Sequence, residues 1–329
     1  MGTPVKPSFF ILLVTLLCFF KSCKTNTEEN PVLTSIDNLN QTEFVFALEQ
    51  QVNDSNNIIY TPTILFAWDE IRNSIGIPIL KDSINFDFKL LNQSTSHKNS
   101  LNKDEYNTEI NIEGREITAK ANFVKSLFFE PKFQKSEIPL TFDNQKIKAF
   151  GMYDYEEAIS KNVKLLYYKN EGLFIVALKP KEENQQIILA KGIDSIKSLQ
   201  EGIQKINFLT SLNSPDELTS DDKISIPLIS FNIDTYYKKL EEIKFTTEGD
   251  TQKYILTKAY QQTMFVLNES GTKIESEAII KAKADSIAAT YQPKNLIFDR
   301  PFIVIMKHTG KENPYFVARI ANSELLIRY

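Results

Sequence analysis

Cysteine and histidine are nearly absent: the 329-residue chain has two of each. Neither Cys18 nor Cys23 stands near a histidine or in a metal-type spacing, which argues against a zinc site. His97 and His308 stand alone in the sequence, and each reads as a surface residue or a satisfied polar one. A Cys–His or Ser–His–Asp hydrolase is hard to assemble from such a set. The chain has no basic run and a net charge of −4, so nucleic acid is not the expected partner. Ten Gly and 13 Pro are too few for collagen, a Gly-rich linker or a Pro-rich spacer. There is no internal repeat, no G-x-G-x-x-G and no phosphate-binding Gly-Lys-Ser/Thr. No metal, no cofactor and no enzymatic activity are expected.

What is present is a folding composition, 42% hydrophobic and 24% charged, long enough for one large domain or two small ones. Aromatics are mostly Phe (23) and Tyr (13), which favours strands over a helical bundle. Near the N-terminus, Lys6 precedes an apolar run from Phe9 to Phe20, followed by Lys21-Ser22-Cys23. That run is too short to span a bilayer core of ~30 Å as a helix, and a basic start before a short apolar stretch makes a secretory signal. Ser22 before Cys23 resembles a bacterial lipobox, in which lipid joins the cysteine and cleavage frees it as residue one. Two acyl chains at ~0.8 kcal/mol per buried CH₂ would make a stable anchor. The expected division is a signal peptide over 1–22, a polar tether over 23–40 and one domain over 41–329. The expected location is across the inner membrane, lipid-anchored through Cys23 in the outer membrane or at the cell surface.

Along the domain, Thr42 to Val52 reads as a helix, with Phe44, Leu48 and Gln51 on one stripe and Thr42 as its cap. Asn57 to Tyr60 is a short strand. Pro62 starts a helix that Gly76 ends. Residues 81–108 are polar and read as a long surface excursion. Strands are expected at Ala119–Phe129, Ile147–Met152, Val163–Tyr168, Leu173–Leu178, Ile224–Ile233, Tyr260–Leu267, Phe302–Met306 and Tyr315–Ile320. Further helices are expected at Ser195–Leu209 and Thr235–Ile243. Phe302 and Phe316 are expected in the core of adjacent strands. Helices early and strands late give an α+β fold.

Several pieces, in order, resemble the serpin family. Asn57-Ile58-Ile59-Tyr60-Thr61-Pro62 is similar to the family's Asn, three apolar residues and Ser-Pro. Phe128-Phe129-Glu130-Pro131-Lys132-Phe133 stands where the family has an aromatic-Phe-Lys-Gly-x-Trp segment. Leu166-Tyr167-Tyr168-Lys169 resembles Leu-Pro-Tyr-Lys, and Ile226-Pro227-Leu228-Ile229-Ser230-Phe231 resembles the Leu-Pro-Lys-Phe strand. Phe265-Val266-Leu267-Asn268-Glu269-Ser270-Gly271-Thr272 resembles the entry to the serpin reactive loop. Phe298-Asp299-Arg300-Pro301-Phe302-Ile303 and Phe316 to Asn322 resemble the two closing strands. Gly76 to Phe128 is about half as long as in the family, which implies a shortened serpin lacking helices that cover its main sheet. Thr61 replaces Ser, Phe133 replaces Trp, and Ile64 sits near an expected second Ser, all where that sheet opens.

The resemblance implies a serpin-like multi-sheet fold with helices on one side and an exposed reactive loop over about 271–297. It implies a monomeric inhibitor that traps a serine or cysteine protease: the loop is cleaved, then inserts as a new central strand. From Thr272, one face of the alternation carries Thr272, Ile274, Ser276, Ala278 and Ile280, and the other Lys273, Glu275, Glu277, Ile279 and Lys281. The implied hinge is Glu269, Gly271, Thr272, Ile274, Ser276 and Ala278. Counting on from Gly271 puts the scissile bond at Asp285-Ser286, and counting back from Phe298 puts it at Thr290-Tyr291. Glu275 and Glu277 replace the Ala run of inhibitory members. A helical loop over Ser276 to Thr290 on a non-inhibitory binding protein is therefore the alternative.

Overall fold

The computed structural model describes residues 31–79, 85–123, 125, 127–271 and 292–329, with the backbone alone at 121–123 and 251–252. One sheet has seven strands: β1 (Leu33–Ser35), β4 (Pro78–Ile79), β5 (Tyr106–Glu113), β6 (Glu116–Phe123), β16 (Ile229–Tyr236), β17 (Ile243–Thr247) and β18 (Asp250–Leu267). A second has eight, in the order β14 (Asp216–Glu217), β11 (Val163–Asn170), β12 (Leu173–Leu178), β13 (Gln185–Lys191), β20 (Phe302–His308), β21 (Phe316–Ile320), β3 (Asn57–Tyr60) and β2 (Thr42–Val45). A four-stranded sheet runs β19 (Asn295–Ile297), β15 (Lys223–Pro227), β10 (Ala149–Met152) and β7 (Gln134–Lys135). A hairpin joins β8 (Leu140–Phe142) to β9 (Gln145–Ile147). Among the described residues there are four α-helices: α1 (Thr63–Ile75), α2 (Phe86–Gln93), α3 (Glu157–Ser160) and α4 (Leu199–Ser211).

The main core lies between the seven- and eight-stranded sheets, and α1 runs through it. Ile64, Leu65, Ala67, Trp68 and Ile71 of α1 are buried at helical spacing. Gly76 ends that helix at φ +88°, with its N–H on the Arg72 carbonyl. On the far face of the eight-stranded sheet, α4 buries Leu199 and Ile206 against Ile175, Ile303 and Val317. Phe302 and Phe316 are buried on the antiparallel pair β20–β21, as expected. The fold is α+β with several sheets and few helices.

Several local expectations are corrected. Thr42–Val52 begins as strand β2, parallel to β3, because Phe44 and Phe46 join the main core while Val45 and Leu48 join the α4 core. A segment buried on both sides has no helical stripe. Thr235–Ile243 is the end of β16, a short 3₁₀ turn at Lys238–Leu240 and the start of β17. Strict alternation through Tyr236 outweighs helical spacing there. Residues 85–108 include α2, with Phe88 and Leu91 buried, and a loop whose Ser94, Ser96, His97 and Ser100 are buried too. Most of those polar groups are paired: Ser94 bonds Glu49 and Ser96, the Tyr60 hydroxyl reaches Ser96, and His97 Nε2 lies 2.9 Å from Asp69, while His97 Nδ1 has no hydrogen-bond partner among the described residues. Ile224–Ile233 splits after Pro227 into β15 and β16, which belong to different sheets. Within the stretch expected to be tether, Leu33–Ser35 forms β1 against β16, and at the end of the expected loop Asn295–Ile297 forms β19.

Candidate functional site

β18 organises the site. β16 pairs antiparallel with its Tyr260–Leu267 stretch, and β6 pairs parallel with it from Ile255 to Thr263. The two overlap on the same residues, so they occupy opposite edges. β18 then ends in a tight turn. Ser270 N–H donates to Asn268 Oδ1 at 3.0 Å, and Gly271 N–H donates to the Asn268 carbonyl at 3.1 Å. Gly271 adopts φ +76°, and a Cβ there would sit 2.3 Å from the Leu127 carbonyl oxygen, so no other residue fits without displacement. Gly271 forms antiparallel bridges to Asn268 on one side and to Phe128 on the other. It thus sits as an isolated bridge between the end of β18 and the chain that follows β6.

The wall facing this turn is built from the aromatic segment singled out in the sequence. Phe129 N–H donates to the Ser270 carbonyl and Phe133 N–H to the Glu269 carbonyl, at 3.0 and 2.9 Å. Phe133 packs edge-on against Phe129 and Phe150, with centroids 4.9 and 5.7 Å away. Phe128 is held from behind by Glu182 Oε2 on its N–H and by Lys181 N–H on its carbonyl. The Glu269 side chain is buried. Lys135 of β7 lies 3.0 Å from Oε1, while Oε2 has no hydrogen-bond partner among the described residues.

Beneath the β6–β18 seam lies a polar chain that sequence reasoning missed. Thr61 contacts Thr63, Thr63 Oγ1 donates to Gln261 Oε1 at 2.8 Å, and Gln261 Nε2 donates to Thr263 at 2.9 Å. Tyr237, its phenol pushed well up by burial and the nearby Tyr60, also donates to Gln261. The one signal in the sequence is a glutamine on the buried set of an alternating strand. Thr61, marked by the resemblance, belongs to this chain; Ile64 is plain core.

The chain around Phe298 is anchored as well. Phe298 packs between Phe174 and Phe302, with centroids 5.0 and 5.2 Å away. The buried Lys191 ammonium holds the Ile297 carbonyl at 2.7 Å and Asp299 at 2.6 Å. Of the expected site residues, Glu269 and Gly271 are brought together here. Thr272, Ile274, Ser276, Ala278, Asp285, Ser286, Thr290, Tyr291 and Cys23 lie outside the described residues. Among the described residues no cluster of three or more His, Cys, Asp or Glu could hold a metal ion, and no helix is long and apolar enough to cross a membrane.

The Serpin (serine protease inhibitor) family model matches residues 118–323, more than half of the chain. No curated protein matches. Similar solved structures include Serpin48 of the insect Tenebrio molitor, at 15% identity and TM-score 0.37, covering 62% of this chain and 55% of that one. The serpin of Schistosoma mansoni is 16% identical at TM-score 0.39, with 64% and 56% covered. The thermophilic serpin tengpin in its native state is 11% identical at 0.42, with 64% and 57% covered. The chain thus spans little more than half the length of the structures it matches. With the family model matching more than half of the chain, through both closing strands, the chain belongs to the serpin family.

Proposed function

We propose that this chain inhibits a serine or cysteine protease by trapping it. The protease nucleophile attacks the scissile carbonyl of the loop, the C–N bond breaks, and the new amine takes the proton. The upstream end stays acylated to the enzyme. That end then enters the seam as a strand between β6 and β18, carrying the protease with it. The observation that carries this reading is Gly271, bridged on both sides in the position a first inserted residue must occupy.

Extending the Asn268–Gly271 bridge sets Thr272 opposite Leu267, Ile274 opposite Phe265, Ser276 opposite Thr263, Ala278 opposite Gln261 and Ile280 opposite Ala259. Those five β18 residues are all buried, so the small and apolar set of the loop meets the core face. Glu275 and Glu277 fall opposite Met264 and Gln262, which are only half-buried, on the face away from α1. Carboxylates there can stay in water, so the missing Ala run does not forbid insertion. About a dozen residues fill the seam down to the Ile255–Glu116 pair, which favours Asp285-Ser286 over Thr290-Tyr291 as the scissile bond. On the order of ten new backbone hydrogen bonds at ~1 kcal/mol net each supply the drive.

The reading includes a monomer with a signal peptide over 1–22 and a lipid anchor on Cys23 at the bacterial outer membrane or cell surface. The protein is tested against a panel of serine and cysteine proteases for a complex that survives SDS. A loop cleaved by every protease without one such complex favours a non-inhibitory binding protein. For the anchor, Cys23→Ala releases the protein from the membrane fraction with its fold intact; unchanged membrane recovery rejects lipidation.

A further inference from the structure

The two sides of the β6–β18 seam are pinned to the eight-stranded sheet at separate points. On the β18 side the pin is aromatic: Phe265 stacks on Phe316 of β21, centroids 4.2 Å apart. On the β6 side it is polar. The Glu105 carboxylate, at the entry to β5, accepts from Asn102 N–H at 2.8 Å and from the Lys125 ammonium just beyond β6. It also meets His308 Nε2, at the end of β20, at 2.9 Å.

Behind that contact the protons are ordered in one direction. The Tyr315 hydroxyl donates to Gln185 Oε1 at 2.7 Å, so the Gln185 amide nitrogen faces His308 Nδ1 at 3.1 Å and donates to it. The imidazole proton therefore sits on Nε2, aimed at Glu105. Burial pushes the Tyr315 phenol far up, with Glu105 and Glu182 adding to the effect, so it remains a donor. Burial also pushes on Glu105. The Asn102 N–H and the contact and charge of Lys125 outweigh it and hold this carboxyl below its ordinary range.

Admitting a strand separates β6 from β18 by one strand spacing, about 4.8 Å. β18 stays with the eight-stranded sheet through Phe316, so β5 and β6 must move relative to β20. A 2.9 Å hydrogen bond does not survive that shift. We infer that the Glu105–His308 bond is the latch of the seam: it holds β5 and β6 closed, and its strength sets how often the seam opens. Its place in trapping rests on the insertion reading, but the latch itself is testable on the intact protein without any protease.

The test is hydrogen exchange of the amides in β6, compared with those in β16. His308→Leu removes the donor, whereas His308→Gln keeps an amide N–H for Glu105 and an oxygen for Gln185. Because a hydrogen bond to a charged group is involved, β6 amides should exchange about tenfold faster or more in His308→Leu, with β16 unchanged. His308→Gln should restore the wild-type rate. If His308→Leu does not fold, Glu105→Gln keeps the shape and drops the charge, and about threefold acceleration confined to β6 is expected. Unchanged β6 exchange, or equal acceleration in β6 and β16, overturns the latch. Failure of the wild type to gain stability on loop cleavage instead counts against insertion and leaves the exchange result to judge the latch.

Discussion

Along one edge of β18, eight consecutive pairs with β16 run unbroken from Ile229–Leu267 to Tyr236–Tyr260, whereas on the other edge the parallel pairing to β6 slips register between Leu256 and Lys258. The side chains differ as sharply. On the β16 edge Phe231 meets Phe265 and Tyr236 meets Tyr260, centroids 5.7 and 5.0 Å apart, and Gln262 donates to Asn232 at 3.0 Å. On the β6 edge Ala119 stands opposite Ala259. Aromatic cross-strand pairs add roughly 0.5–1.5 kcal/mol each, and Ala–Ala adds almost nothing. One edge resists separation through aromatic partners; the other has no described aromatic pair, and besides its backbone bonds it carries Leu256 opposite Ile117, Ala259 opposite Ala119 and the polar contacts beneath and beside them. The proposed insertion calls for a sheet that is weaker at one seam than at the other, and this asymmetry is of that kind.

The strongest way to break the comparison is to weaken the firm side. Phe316→Ala removes the ring on which Phe265 rests and should cost ~3–5 kcal/mol, with Phe302→Ala similar, read as urea midpoints. Unchanged midpoints in both variants would mean that β18 is not anchored through this core. Next in size is the seam itself. Gln261→Leu removes the side-chain partner of Thr263 and Tyr237, leaves Thr63 with Thr61 alone, and should cost ~1–3 kcal/mol. Its β6 amides should exchange faster than those of β16; a loss shared equally by both strands would contradict a role at the seam.

These two regions differ in how much of them is legible in the sequence. Pro62 and Gly76 bracket α1, and Asn268-Glu269-Ser270-Gly271 reads as a turn, because capping and turn chemistry act over a few residues. Ile229 to Tyr236 alternates cleanly, yet its last residues also fit a helical spacing, since a short window carries both periods. Gln261 and the loop of Ser94, Ser96 and His97 are illegible for another reason. Polar residues signal exposure until their partners are known, and Thr63 and Asp69 come from distant positions. The pairing of β6 with β18 is likewise a long-range fact that no local pattern encodes.

A smaller effect concerns α1, which lies beneath β5 and β6. Asp69 is half-buried, which raises its carboxyl, but the hydrogen bonds and charges of His97 and Lys98 prevail and hold it down to about 2. A depressed carboxylate contributes stability above its unfolded value of 3.8 and loses it as pH falls toward 2. Between pH 4 and 2 the wild type should lose up to ~2 kcal/mol that Asp69→Asn lacks throughout. Parallel stability–pH curves for the two proteins would remove Asp69 from the account.

The most direct measurement is the thermal unfolding of intact and loop-cleaved protein, with and without Ala278→Arg. Insertion predicts that the cleaved wild type melts well above the intact form. Ala278→Arg should leave the intact melting temperature unchanged but abolish the gain, because the new guanidinium would bring an unpaired charge opposite buried Gln261, at a cost of several kcal/mol. A cleaved wild type that melts where the intact protein does would contradict insertion at the β6–β18 seam.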